Sequence, residues 1–498
     1  MNLTGKSLIA GKWLGEESQT VFYAFSPARN EPMQQVFFNA SAEQTKLACS
    51  AAQQAFLAYR RTSAAQRAAF LCAIADEIAG LGDALLTLTH EETNLPMARL
   101  TGERGRTMGQ LRAFASHLQN SSAVLLQEQA EPNRQPLPKP AFTLTQLPLG
   151  PVAVFGASNF PYAFSTLGGD TAAALAAGCP VVVKGHPAHP GTSELMALAI
   201  ARAIETCGMP SGVFSLLQTN QVDLAHQLVA DPHIQAVGFT GSLAVARHLQ
   251  RTIAEREQPI PLYAELGSVN PQVLLPEQMA ERGEALAEQL CQSLLMGNGQ
   301  FCTSPGLWLV PEDNAAFAAR VKAFLAEQPS DTLLTPGILR TYQSQTQSLA
   351  MNSRLQQLGL GPLQQSYHAQ AMVFAVSAAD FLANPQLQQE VFGPCALMVS
   401  YQDQTQLLTL IESLEGQLTA SVHGSAGDIA QADEVVEALS YKVGRLIYNQ
   451  MPTGVEVCAA MNHGGPFPAS TDVRSTSVGL QAMQRFLRPL CLQNEPSQ

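Results

Sequence analysis

The sequence predicts an α/β fold: a largely parallel sheet with helices on both faces, followed by a second α/β region. Three observations carry this. Short apolar runs alternate with Ala/Leu-rich helical segments across residues 152–242, the pattern of a parallel sheet with helical crossovers. A second alternation begins near Tyr263. The chain has 498 residues, 46% hydrophobic and 14% charged, enough for two or three domains around large cores.

The elements follow in order. Residues 42–81 place Ala, Leu and Ile at helical spacing in two segments with a short polar break. Residues 91–118 read as a further helical region, bearing Glu103, Arg104, Arg106 and Arg112. Residues 127–140 are polar and proline-rich, a linker composition. Two apolar runs, 152–155 and 180–183, end at Gly156 and Lys184, with a helix over 165–177 between them. A helix over 193–207 leads to a strand at 213–217. A helix over 222–230 leads to a strand at 236–239, after which Gly241-Ser242 opens another helix. Gly156, Lys184 and Thr240 thereby fall at carboxyl ends of strands, where open α/β sheets bind ligands. The second region holds a strand at 272–275, a helix over 284–296 and a strand at 307–310. Residues 330–368 show no clear period. Leu487, Leu490 and Leu492 alternate weakly, as an edge strand or an arm reaching a neighbouring subunit would. No repeat, coiled coil or low-complexity tract appears.

Composition excludes several classes. A net charge of −12 argues against nucleic acid or an anionic membrane as partner. No apolar run reaches the roughly 18 residues of a transmembrane helix. The start, MNLTGKSLIAGKW, lacks the charged and apolar regions of a signal peptide. The nine cysteines include no C-x-x-C pair, so no metal site is expected, and free thiols in a reducing, cytoplasmic compartment are the simplest reading.

Six segments could carry chemistry. In Gly299-Gln300-Phe301-Cys302-Thr303, a cysteine after a Gly-rich turn at a helix end has the setting that lowers a thiol pKa and makes a nucleophile; a buried structural cysteine fits the segment too. In Glu265-Leu266-Gly267-Ser268, a glutamate at a strand end is placed as a general base, or as an ion-paired carboxylate. In Asn159-Phe160-Pro161, the amide can donate to a developing oxyanion, or close an ordinary turn. Phe239-Thr240-Gly241-Ser242 is a strand, turn and helix start that suits an anion, or a plain N-cap. Lys184, after Val181-Val182-Val183, can hold a ribose hydroxyl or phosphate. In Glu390-Val391-Phe392-Gly393-Pro394, Glu390 can hold a ribose and Phe392 pack on a flat ring, or the segment is a turn between strands.

In this order, the six segments resemble the aldehyde dehydrogenase superfamily over nearly the whole chain. The resemblance implies a Rossmann-like NAD(P)-binding domain (1–125 and 146–262), an α/β catalytic domain (263–455) and a small β oligomerisation flap (126–145 and 475–498). It implies Cys302 as nucleophile, Glu265 as the base for deacylation, and Asn159 with the Cys302 N–H as oxyanion hole. Lys184 and Glu390 would hold the riboses, Gly241 and Ser242 the pyrophosphate, and Phe392 would lie near the nicotinamide. A homodimer or homotetramer is implied as well.

Two departures refine the expectation. Many NAD-preferring members carry Pro-Ala-Glu after the lysine, whose glutamate repels a 2′-phosphate. Here Gly185-His186-Pro187 follows, so NAD or NADP is expected with NADP favoured, and His186 could approach the 2′-phosphate. Near the C-terminus, His463-Gly464-Gly465-Pro466-Phe467-Pro468-Ala469-Ser470 replaces the usual Ser-Gly-x-Gly-Arg-Glu. With Lys184-Gly185-His186 and the run from Gly299 to Gly306, it resembles the 2,5-dioxopentanoate (α-ketoglutarate semialdehyde) dehydrogenase branch, and is also similar to NADP-dependent fatty aldehyde dehydrogenases of bacteria. The first reading gives oxidation of 2,5-dioxopentanoate to 2-oxoglutarate, and needs a cation for the carboxylate. Arg106 is that candidate, unless Arg104, Arg106 and Arg112 form a solvated helix face. Phe160, Phe301 and Phe467 would wall the aldehyde. The alternative is a medium- or long-chain aldehyde dehydrogenase with an apolar tunnel. A coenzyme A acyltransferase would not need Glu265, and a non-catalytic relative, as among crystallins, would not need Cys302, Glu265 and Asn159 together.

Overall fold

The computed structural model describes residues 3–16 and 19–496. The first sheet has seven strands, in the order Leu262–Glu265, Ala236–Thr240, Val152–Phe155, Val181–Lys184, Phe214–Leu217, Ser7–Ile9 and Lys12–Leu14. The first five are parallel; the last two are antiparallel additions. Successive side chains point to opposite faces. Val152, Val154, Val181 and Val183 enter a core with helices Ala64–Gly80, Gly169–Ala177 and Pro190–Cys207. Ala153, Phe155, Val182 and Phe239 enter a second core with helices Ala42–Tyr59, Val222–Ala230 and Leu243–Ala254. Both faces are covered, so the strands carry no polar stripe. Register places Phe155 beside both Lys184 and Phe239, and Thr240 beside Glu265, along one carboxyl edge.

The second sheet runs Gln356–Leu360, Met372–Ser377, Cys395–Tyr401, Leu307–Pro311, Gln272–Leu274, Gln417–His423 and Val443–Tyr448, parallel except for the first strand. A third, antiparallel sheet joins Leu487–Gln493 to Phe142–Pro148 and Val124–Glu128.

Several expected boundaries move. The strand Leu262–Glu265 pairs throughout with the first sheet, so a division after residue 262 cuts it. The strands Val124–Glu128 and Phe142–Pro148 are likewise cut by divisions at 125/126 and 145/146. Residues 480–486 form a 3-10 turn whose Ala482, Met483 and Phe486 lie in the first core. Only Leu487 onward therefore belongs with the outlying sheet. The proline-rich 127–140 stretch links two strands of that sheet. Residues 91–118 are not one helix: Asn94 takes a left-handed conformation and caps helix Gly82–Thr93, and the next helix starts at Met97 after Pro96. The unreadable 330–368 stretch contains helix Pro336–Met351 and the edge strand Gln356–Leu360.

Candidate active site

Helix Pro276–Leu295 ends in a 3-10 turn, Met296–Gly299. Gly297, Asn298 and Gly299 all take positive φ, which reverses the chain and delivers Cys302 to the junction of the two large sheets. Gly299 is required twice over: its φ is +72°, and a Cβ there would lie 2.1 Å from the Gly393 carbonyl carbon. The nucleophile loop is thus pressed onto the Glu390–Pro394 segment.

Cys302 Sγ lies 3.4 Å from His463 Nε2, and His463 Nε2 lies 2.7 Å from Glu265 Oε1. The sulfur, the nitrogen and a carboxylate oxygen are all within 4.8 Å of one another. Ser477 Oγ donates to the other Glu265 oxygen. His463 is fixed by its backbone N–H, which donates to Thr476 Oγ1 at 2.8 Å. No metal was expected from the sequence; the one metal-capable group among the described residues is this same triad.

The electrostatics correct one expectation. Burial pushes the Cys302 thiol well above its ordinary pKa, the Glu265 carboxylate pushes it further, and Arg106 opposes only in part. The Gly-rich turn does not supply the electropositive setting that the sequence suggested, because burial dominates and the Glu265 carboxylate adds to it. Burial also tends to raise Glu265, but His463 and the hydrogen bonds from His463 and Ser477 outweigh it and hold the carboxyl below its usual range. A thiol that is protonated at rest must lose its proton as the sulfur attacks, and the Glu265–His463 pair is the acceptor within reach.

Asn159 is buried, and its Nδ2 donates to the Gln300 carbonyl at 2.8 Å. Helix Met97–Asn120 holds this segment in place. Arg99, Glu103 and Arg106, spaced i, i+4 and i+7, share one helix face. Buried Glu103 accepts the N–H groups of Tyr162 and Ala163 at 2.8 and 3.0 Å. Arg99 donates to the Asn159 carbonyl and stands over Phe160 and Phe301, 4.9 and 4.7 Å from their ring centres.

A cavity opens above Cys302, lined by Arg106, Phe160, Phe164, Phe301 and Arg445 among others. Phe160 and Phe301 meet edge-to-face at 5.1 Å, and Phe160 and Phe164 at 5.3 Å. Phe467 does not join them. It is half exposed and its carbonyl serves Gly416 in a turn; Phe164 forms the wall instead. Of the three arginines, Arg104 caps the Gly82 carbonyl and Arg112 pairs with Asp76. Arg106 alone turns inward, with its guanidinium 5.1 Å from the Phe164 ring. Its bonds to the Val455 carbonyl are both 3.4 Å, at the limit of a hydrogen bond, and its Nη1 is buried with no partner among the described residues.

The residues expected to hold the cofactor line the carboxyl edge of the first sheet and the facing loop. Lys184 is pushed down to about 8 by burial, and its ammonium meets the Gly185 carbonyl at 3.1 Å, which leaves donors for a ligand. Ser242 caps helix Leu243–Ala254 by accepting the Val245 N–H, and Gly241 donates to the Glu265 carbonyl. The capping reading is therefore present, and the helix N-terminus still faces the sheet edge. Glu390 is pushed up to about 7 by burial, against one backbone hydrogen bond from Ser268. Its carboxylate leans on Gly267, where a Cβ would sit 2.3 Å from Oε2. Phe392 lines a cleft with Glu390 and Ser268. Lys184 and Glu390 are both partly buried, at the sheet edge and on the facing loop respectively. His186 stacks on His189 at 5.5 Å. Burial, with His189 and Lys184 beside it, holds the ring well below its ordinary pKa.

Sequence reading missed His463 as a partner of Glu265, along with Ser477, Phe164, Glu103, Arg99 and Arg445. The i, i+4, i+7 spacing on helix Met97–Asn120 was a usable signal for Arg99 and Glu103. Nothing local marked Ser477 or Arg445.

The sequence also matches a family model. The model of the aldehyde dehydrogenase family covers residues 13–486. The chain belongs to the aldehyde dehydrogenase family. It is 47% identical to alpha-ketoglutaric semialdehyde dehydrogenase 2 of Azospirillum brasilense, over 100% of this chain and 95% of that one. It is 42% identical to alpha-ketoglutaric semialdehyde dehydrogenase of Acinetobacter baylyi, over 98% and 94%. In three dimensions it is similar to betaine aldehyde dehydrogenase of Staphylococcus aureus, with a TM-score of 0.85 at 19% identity over 100% and 97% of the chains. Aldehyde dehydrogenase C of Pseudomonas syringae, solved with NAD+ and octanal, gives 0.83 at 19% identity over 99% and 97%. This aldehyde dehydrogenase is accordingly an NAD(P)-dependent oxidoreductase with the family's α/β fold. No helix of the described residues is long and apolar enough to cross a membrane.

Proposed function

We propose that this aldehyde dehydrogenase oxidises 2,5-dioxopentanoate to 2-oxoglutarate. The observation that carries the reading is Arg106. Arg106 lines the same cavity as Cys302, its Nη1 is buried with no partner among the described residues, and a carboxylate is the ligand that suits such a donor. The similarity to two alpha-ketoglutaric semialdehyde dehydrogenases supports the same substrate.

The chemistry follows from the residues. Cys302 Sγ adds to the aldehyde carbon while its proton passes to the Glu265–His463 pair. Asn159 Nδ2 and the Cys302 N–H hold the oxyanion, each such donor lowering the barrier by roughly 3–4 kcal/mol. Lys184, Glu390 and the helix start at Gly241-Ser242 would hold NAD(P)+, with Phe392 as a further lining residue, and the bound cofactor would supply the hydride acceptor. Oxidation leaves the acyl group on sulfur as a thioester. Glu265 takes a proton from water, the hydroxyl adds to the acyl carbon, and the thiol leaves with the acid released. Glu265 within reach of Cys302 supports water over coenzyme A as acceptor.

The first sheet and its helices serve as the cofactor domain, and the second sheet as the catalytic domain. The three-stranded sheet carries Val124, Leu125 and Leu126 exposed on its edge, an apolar strip that suits a homodimer or homotetramer. The cysteines are all unpaired, in keeping with a reducing cytoplasm. A neutral His186 offers no charge to a 2′-phosphate, so NADP use rests on the missing acidic residue after Lys184 alone.

The test is the appearance of reduced nicotinamide with 2,5-dioxopentanoate or octanal as substrate and NAD or NADP as cofactor. The dioxo acid is expected to be preferred, with Arg106→Ala raising its KM about 10- to 100-fold, the loss of one charge-assisted contact. Preference for octanal, or an unchanged KM, would overturn the reading in favour of fatty aldehyde oxidation.

A further inference from the structure

Arg445 is a second cation in the substrate cavity. It lies on strand Val443–Tyr448 of the second sheet, far in sequence from Arg106, and lines the same space above Cys302. Its two terminal nitrogens are engaged: Nη2 donates to the Pro452 carbonyl at 2.7 Å and Nη1 to the Gly454 carbonyl at 3.0 Å. Its Nε is buried with no partner among the described residues. Arg106 shows the opposite pattern. Its Nε and Nη2 make only long contacts to Val455, and its Nη1 is unpartnered. Both arginines therefore contact one loop, residues 452–455, and each keeps a buried nitrogen with no partner among the described residues.

The two vacancies differ in kind. A carboxylate takes a guanidinium best through two parallel N–H bonds. Arg106 can supply them, because its competing contacts are weak. Arg445 has both ends of its fork committed to the loop, and its one nitrogen with no partner is Nε. A single buried donor fits a single acceptor, such as a ketone oxygen. Glu456 also lines the cavity; its carboxylate lowers the net positive charge there and disfavours a second carboxylate on the substrate.

We propose that Arg445 is a specificity residue that donates its Nε–H to an oxo group adjacent to the substrate carboxylate, while Arg106 takes the carboxylate itself. This rests on the oxo-acid reading above and extends it: the enzyme selects ω-aldehydes of 2-oxo acids over the simple ω-aldehyde acids of equal length. A site built to hydrogen-bond a group rejects the analogue without it, because its own donor is then left buried and unpaired.

The experiment compares kcat/KM for 2,5-dioxopentanoate and 5-oxopentanoate, with pentanal as control, in the wild type and in Arg445→Met. The wild type should favour the dioxo acid over 5-oxopentanoate about 10- to 100-fold, the range of one hydrogen bond to a charged group. In Arg445→Met that ratio should collapse toward one, while 5-oxopentanoate remains preferred over pentanal through Arg106. The ratio is taken within each protein, so a partly folded variant does not distort it. A wild-type ratio near one overturns the proposal without any variant, and so does an Arg445→Met ratio equal to that of the wild type. Loss of preference for both acids over pentanal in the wild type would instead remove the carboxylate reading on Arg106, a separate failure.

Discussion

The imidazole of His463 stands 2.7 Å from the carboxylate of Glu265, with both side chains buried. This contact keeps Glu265 charged in a place where burial alone would protonate it. Removing His463 should therefore raise the Glu265 pKa. In His463→Ala, the acidic limb of the kcat profile is expected to move to higher pH, with roughly 10²-fold lower turnover, the scale of a disturbed general base. An acidic limb unmoved in His463→Ala would show that His463 does not tune the base.

The Cys302 thiol is held protonated by burial and by Glu265. Its alkylation by iodoacetamide at pH 7 should be slower than that of a free cysteine, and should accelerate as pH rises. Glu265→Gln removes the negative charge, so it should make alkylation faster even though it slows thioester hydrolysis. Slower alkylation in Glu265→Gln would mean that the carboxylate acts on the thiol chiefly as a base. Cys302→Ala should abolish oxidation while leaving cofactor binding intact, measured by quenching of protein fluorescence.

Cofactor affinity should depend on pH from both sides. Glu390, raised to about 7, loses its charge as pH falls through that value, and with it the acceptor for ribose hydroxyls. Lys184, lowered to about 8, loses its charge as pH rises through that value, and with it a donor. The Kd for NAD+ should thus be lowest between about 7 and 8. In Glu390→Gln the acidic limb should vanish and the basic limb remain. A Kd independent of pH from 6 to 9 would exclude both groups as ribose ligands.

Arg485 and Asp170 form an ion pair at 2.7 Å, with side-chain exposures of only 3% and 10%. It ties the turn at residues 480–486 to helix Gly169–Ala177. Arg485→Met leaves a buried carboxylate without its cation, at a cost of about 3–5 kcal/mol. The double change Arg485→Met with Asp170→Asn should recover part of that loss in a urea melt. A single variant as stable as wild type would mean that water reaches Asp170.

Much of the fold could be read from the chain because its signals are local. The Val-rich strands at 152–155 and 181–184 are apolar on both faces, and their helices carry their own periodicity. Boundaries failed where a neighbour decides them. Leu262–Glu265 is an edge strand only because Ala236–Thr240 lies beside it. Asn94 ends a helix through a left-handed backbone that the pattern of apolar residues does not encode. Among the site residues, Phe160 and Phe301 line the cavity as expected, but Phe467 turns away beside a cis peptide bond to Pro468.

By itself, the sequence determined the kind of chemistry. A cysteine after a glycine turn, a glutamate at a strand end and an asparagine before Phe-Pro are motifs whose local backbone suffices to suggest their use. Only the tertiary structure decided which groups meet. His463 reaches Cys302 and Glu265 across 161 and 198 residues, and Arg106 and Arg445 share a cavity although one rides a helix and the other a strand of the second sheet. Such meetings depend on sheet register and loop closure, and their electrostatics on burial, because a charge out of water is governed by its nearest neighbours. That is why the thiol pKa does not follow from its own segment: burial raises it first, and the distant Glu265 carboxylate raises it further.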